Sequence, residues 1–234
     1  MGNLADEVLL TISRKAVGKG MGSRYGGHGH VNYEIDNPGL HDIANTWSKE
    51  HGDISFAELV PVLDELSSGK SYQEKAIVGM ILGRFSKFRK QIDPAMVDRW
   101  LLGREGWAEV DSLCQGVFSA EEMLSSWSLW KKWLLKWAGD ADIHKRRASL
   151  VLLTGPVAHS CDERLFEAGF SNIERLKGEK DILITKAISW LLRSMVRSNP
   201  ETVREYLARN RDTLPAVAVR ETLNKLKSGR KSGH

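Results

Sequence analysis

Apolar residues recur along this chain at three- and four-residue spacing, the signature of helices with one buried face. The pattern predicts helices over Leu4–Ala16, Leu40–His51, Phe56–Leu66, Gln73–Phe85, Ala95–Leu102, Trp107–Val117 and Ala120–Trp137. It continues with Ile143–Leu153, a weaker Asp162–Gly169, Lys180–Arg197, Glu201–Asn210 and Ala216–Lys227. Ser119-x-x-Glu122 has capping-box spacing, and Asn199-Pro200 reads as a cap followed by a proline in the first turn. One stretch interrupts the helices: seven glycines lie from Gly18 to Gly39, and it reads as a flexible arm whose Arg24 and Tyr25 are available to a partner. No run of alternating strands is present, so the expected fold class is all-α.

The second helix of each successive pair starts its apolar stripe near Val78, Val110, Ala148, Ile188 and Val219, at steps of 32, 38, 40 and 31 residues. Those steps are close to the period of HEAT-like helix pairs, which stack into a superhelix, an α-solenoid, with a concave face. The expected organisation is an N-terminal helix and Gly-rich arm over 1–39, a HEAT-like repeat domain over 40–227 and a basic tail over 228–234.

Composition narrows the class. With 41% hydrophobic residues in 234, the chain has enough apolar content for a substantial core and does not read as disordered. Lys and Arg number 34 against 30 acidic residues, an excess that permits an anionic partner without demanding one. Cys114 and Cys161 fall outside metal or redox spacing and read as reduced packing residues. The first residues lack a secretory or myristoylation pattern, and no stretch approaches the ~18 apolar residues of a membrane span. A soluble, cytoplasmic, monomeric protein is expected. His28 and His30 form a His-x-His pair, but no Cys, Asp or third His stands at a spacing that completes a site, so neither metal nor cofactor is expected.

Polar residues near the stripes supply the candidate chemistry. Trp107 and Asp111 lie one turn apart beside the stripe Val110, Leu113, Cys114 and Val117; locally they also fit an ordinary helix edge. Arg147 falls off the stripe Ala148, Val151 and Leu152. Lys186 and Trp190 fall opposite Ile184, Ile188, Leu191 and Leu192, and Arg193 follows them, an arrangement that suits a stacking surface or packing on a neighbouring repeat. By contrast, Trp127, Trp130, Trp133 and Trp137 read mainly as packing between repeats, with the intervening lysines free to reach phosphates.

Taken together, these segments resemble the AlkD-type family of DNA alkylation-repair glycosylases. The clearest match is ITKAISWLLRSMVRSNPETVREYLARNRDTLPAVAVRETLNKL, residues 184–226; IHKRRASLVLL and GWAEVD also fit, and SYQEKAI fits more weakly. The GGHGHVN arm and His144-Lys145 depart from the family pattern. The resemblance implies HEAT-like repeats with a DNA-binding concave face, and site residues at Trp107, Asp111, Arg147 and Trp190. It further implies excision of cationic N3- and N7-alkylpurines, such as 3-methyladenine and 7-methylguanine, from double-stranded DNA without flipping the base into a pocket.

The residues suit that chemistry. A cationic purine leaves without a general acid, so a carboxylate such as Asp111 need only stabilise the oxocarbenium-like sugar and position water. Trp107 and Trp190 offer aromatic faces to a developing cation, and Arg147, with Lys186 and Arg193, offers positive charge to phosphates. Two alternatives remain open at this level: a non-catalytic DNA-binding repeat protein and a protein-binding scaffold.

Overall fold

A computed structural model describes residues 3–231; positions 232–234 of the expected tail lie outside the described residues. In chain order it contains α1 (Leu4–Lys15), β1 (Gly20–Ser23), β2 (His28–Asn32), α2 (Asn37–Glu50), α3 (Phe56–Ser67), α4 (Tyr72–Arg84), α5 (Ser86–Arg89), α6 (Pro94–Trp100) and α7 (Gly106–Cys114). There follow α8 (Ala120–Ser125), α9 (Trp127–Ala138), α10 (Ile143–His159), α11 (Glu163–Leu176), α12 (Ile182–Ser198), α13 (Pro200–Asn210) and α14 (Ala216–Ser228). The fold is all-α, with one short hairpin among the described residues. It divides into two compact units, Met1–Val117 and Phe118–His234.

In the first unit α4 is the central helix, enclosed by α2, α3, α7 and the hairpin. It starts with a complete capping box, Ser71 to Glu74, and buries Ala76, Ile77, Val78, Ile81 and Leu82. Gly79 sets how closely α7 approaches: a Cβ there would stand 2.0 Å from the Ser112 carbonyl oxygen. In the second unit α10 is central, packed by α8, α9, α11 and α12, and α12 in turn packs on α14. Trp130 and Trp137 are buried, as the stripe reading expects, and Lys136 lies 4.0 Å over the Trp133 ring. Cys114 is buried as a packing residue, whereas Cys161 is exposed rather than packed, and neither forms a disulfide among the described residues.

Several boundaries differ from expectation. The single helix over 120–137 is broken at Ser126, giving α8 and α9. Helix α10 continues through Gly155 and Pro156 to His159, because a proline in the last turn removes only one hydrogen bond from a well-packed helix. Helix α11 runs to Leu176, with small Gly169 packed against Met195.

The arm departs most from its reading as a flexible loop. Its strands pair antiparallel, with Gly20 opposite Asn32, Met21 opposite Val31 and Ser23 opposite His28, and with an irregularity between Met21 and Ser23. The hairpin is anchored to the start of α4: Val31 N donates to the Lys70 carbonyl at 3.2 Å, Tyr33 N donates to Gln73 Oε1 at 3.0 Å, and Gln73 Nε2 donates to Asn32 Oδ1 at 2.7 Å. Sequence periodicity cannot register such pairing, since the strands are short and glycine-rich.

Candidate active site

The hairpin tip completes the N-terminus of α7. Glu105, at the cap position, makes no side-chain cap, and the Gly26 carbonyl instead accepts from Ala108 N at 3.5 Å. Gly106 makes this approach feasible: its φ is +63°, and a Cβ there would meet Gly26 O at 2.2 Å. On the next residue, Trp107 Nε1–H donates to the Tyr25 carbonyl at 2.6 Å, and the Tyr25 ring meets Trp107 edge to face at 5.1 Å. Tyr25 is otherwise 83% exposed.

Trp107 and Asp111 both line a cavity of about 770 Å³ in the first unit, along with Tyr25, Tyr72, Arg84 and Arg89. Asp111 is 7% exposed, so the carboxylate stands in the wall rather than on an open surface. Burial, followed by the negative charges of Glu109 and Asp111, raises the Tyr72 phenol above its ordinary value and keeps it protonated. Arg89 Nη1 donates to the Val117 carbonyl at 2.9 Å, and Arg84 bonds Asn45, so two guanidinium groups are fixed at the same cavity. Tyr25, the aromatic of the arm expected to be available to a partner, reaches the cavity, whereas Arg84 and Arg89 come from other elements than α7 and carry no sequence signal.

Behind α7 lies a charged cluster. Arg104, fully enclosed, donates to the carbonyls of Trp100, Glu109 and Lys75 at 2.7, 2.6 and 2.9 Å. Burial lowers it to about 10, which leaves it charged at neutral pH. The carboxylate of Glu109 is wholly buried: one oxygen accepts from Glu105 N at 2.8 Å, and the other lies 2.7 Å from His30 Nδ1 and 3.8 Å from His28 Nδ1. Burial lowers His28, opposed by Glu109, so its imidazole is neutral. The His-x-His pair therefore does meet a third donor, which spacing within the arm did not reveal.

In the second unit, Lys186, Trp190 and Arg193 share the half-buried side of α12. Lys186 Nζ reaches Glu221 Oε1 at 3.2 Å, Arg193 Nε reaches Glu221 Oε2 at 3.5 Å, and Ser189 Oγ donates to that same oxygen at 2.6 Å. Burial tends to raise Glu221, but the Ser189 and Lys186 bonds and the Lys231 charge outweigh it, and the carboxyl lies below its ordinary value. Arg147 was expected off the apolar stripe; it is 4% exposed, with Nη1 donating to the Leu183 carbonyl at 2.5 Å. The reason is that α10 is packed nearly all round, so a position off one stripe still faces protein.

Among the described residues, no helix is long and apolar enough to cross a membrane. A model of the family of DNA alkylation repair enzymes matches residues 7–226, nearly the whole chain. The chain belongs to that family, which supports an enzymatic role in DNA alkylation repair. A solved structure described as "Predicted DNA alkylation repair enzyme from Enterococcus faecalis" is similar at a TM-score of 0.62 and 16% identity, covering 96% of this chain and 95% of that one, a likeness of fold. No curated protein matches the sequence.

Proposed function

We propose that the protein is a monomeric DNA glycosylase that hydrolyses the N-glycosidic bond of cationic N3- and N7-alkylated purines in duplex DNA. It leaves an abasic site and acts in the cytoplasm, on the nucleoid. The observation that carries this reading is the Trp107–Asp111 pair in the wall of the first-unit cavity, the indole held by the Tyr25 carbonyl and the carboxylate 7% exposed.

The positive purine departs with the bonding electron pair as a neutral base, so no proton need be delivered to it. Asp111 stabilises positive charge growing at C1′ and orients the water that attacks there, accepting its proton. Trp107 offers its face to the sugar, where the ring quadrupole favours a cation. Arg84 and Arg89 suit phosphate contacts at the cavity. In the second unit, Lys186, Trp190 and Arg193 suit contacts with the duplex, the two cations oriented by Glu221, whereas buried Arg147 holds the Leu183 carbonyl at the start of α12.

The test is incubation of a 7-methylguanine duplex with the protein, followed by alkaline cleavage at abasic sites. Strand breaks above background are expected, and Asp111→Asn should lower the single-turnover rate roughly 100-fold or more. Salt-dependent DNA binding with no base release would replace the proposal with a binding protein. Undiminished excision by Asp111→Asn would remove the carboxylate from the mechanism.

A further inference from the structure

We propose that His28, His30 and Glu109 form a binding site for a divalent transition metal of the zinc class, which clamps the hairpin onto α7. Residues two apart on a strand share a face, so β2 presents both imidazoles toward one side. Helix α7 brings the carboxylate to them, 79 residues further along the chain than His30. One donor atom from each lies within 4.8 Å of the others. A tetrahedral ion with bonds near ~2.1 Å needs donors roughly 3.4 Å apart, so side-chain movements of about 1 Å complete the geometry.

Three features make this more than a chance meeting of polar groups. His28 is 6% exposed, and its Nδ1 has no hydrogen-bond partner, an orphaned donor-acceptor in a protein interior. Its ring plane is fixed by stacking on Tyr72, with centroids 4.9 Å apart and planes 4° from parallel. The Glu109 carboxylate is turned so that Oε2 takes the Glu105 amide, while Oε1 faces both imidazoles.

The surroundings also suit a metal. Metal-bound histidines commonly pass their second ring nitrogen to a carboxylate, and His30 Nε2 lies 3.9 Å from Glu105 Oε1. The opposite oxygen of Glu105 accepts from Gly29 N at 2.6 Å, which ties that outer carboxylate to the same strand. Arg104 turns its guanidinium onto three backbone carbonyls rather than toward the histidines. Two imidazole nitrogens and one carboxylate oxygen favour zinc over calcium or magnesium, which take oxygen donors. The inference is independent of base excision: it concerns how the hairpin is held, and it stands or falls on metal binding alone.

The experiment is titration of chelator-treated full-length protein with Zn²⁺ in competition with a chromophoric chelator, alongside thermal unfolding with and without the ion. One equivalent should bind. The unfolding midpoint should rise by roughly 5–10 °C at free zinc about 100 times the dissociation constant. His30→Ala, at a half-buried position, should weaken binding by roughly 100-fold or more, and Glu105→Gln by about 10- to 100-fold. Glu109→Gln should abolish stoichiometric binding; because Glu109 is fully buried, circular dichroism must first show that this variant is folded. Absence of stoichiometric uptake by the native protein would overturn the site and leave a His–Glu hydrogen-bonded cluster. Zinc uptake undiminished in folded His30→Ala would equally overturn it.

Discussion

Replacing Gly106 by alanine tests whether the hairpin and α7 form one structure. The new methyl meets two obstacles: the backbone sits at φ +63°, and the Cβ would stand 2.2 Å from Gly26 O and 2.6 Å from both the carbonyl carbon and oxygen of Gly27. The left-handed conformation costs roughly 1–2 kcal/mol for a residue with a Cβ. Crowding of this kind costs roughly 1–3 kcal/mol when backbone must shift. Relief is available if the tip lifts, but that forfeits the Trp107–Tyr25, Ala108–Gly26 and Gly29–Glu105 hydrogen bonds, each contributing about 0.5–1.5 kcal/mol. The first route gives a loss of roughly 2–5 kcal/mol and the second roughly 1.5–4.5 kcal/mol. Urea unfolding followed by tryptophan fluorescence measures this, and the thermal midpoint should fall by roughly 5–15 °C. Hydrogen exchange should show lost protection at Gly29 and Ala108. A stability change below about 0.5 kcal/mol, with protection intact, would refute the docking of hairpin on helix.

Gly83→Ala provides the opposite case: its Cβ meets nothing within 4 Å on a helical residue, so urea unfolding should show a gain of about 0.4–1 kcal/mol. Trp107→Phe keeps an aromatic ring but deletes the indole donor to the Tyr25 carbonyl. Single-turnover excision should slow roughly 3- to 30-fold while stability changes by less than about 1 kcal/mol, and an unchanged rate would deny the indole a positioning role. Because Glu221 lies below its ordinary 4.5, it favours the folded state above that pH, and the contribution is lost as pH falls through the lowered folded value. Acid titration of Glu221→Gln should therefore show a flatter decline in stability below about pH 4.5 than the native chain. Arg104→Met leaves three buried carbonyls without their donor and should cost about 3 kcal/mol or more, read by the same urea assay.

Helix positions were legible in the sequence wherever an element has one dry face, as in α3 and α14. Legibility failed where burial is nearly complete. Helix α10 has apolar residues around most of its circumference, so a stripe chosen by spacing placed Arg147 outside when it is inside. Within the candidate site, Trp107 and Asp111 could be picked out because i and i+4 share a face on any helix. The surrounding cavity could not, since it depends on which elements meet: Tyr25 comes from a turn, Tyr72 and Arg84 from α4. His28 and His30 were visible as a pair, but Glu109, although within GWAEVD, lies 79 residues beyond His30 and at no metal-ligand spacing from it. The glycines of the arm signalled freedom, and that freedom is spent in close approach to α7.

The separation of Tyr25 from Trp107, 82 residues along the chain, has a consequence for synthesis. The arm leaves the ribosome long before the helix that completes it. At roughly 5–20 residues per second, about 4–16 s pass before Trp107 can meet the Tyr25 carbonyl. During that interval the glycine-rich strands have no α7 to dock on, and the cavity wall does not exist. A pause in translation before α7 emerges would lengthen that exposed period, whereas a pause once Val117 has left the ribosome would allow the first unit to close.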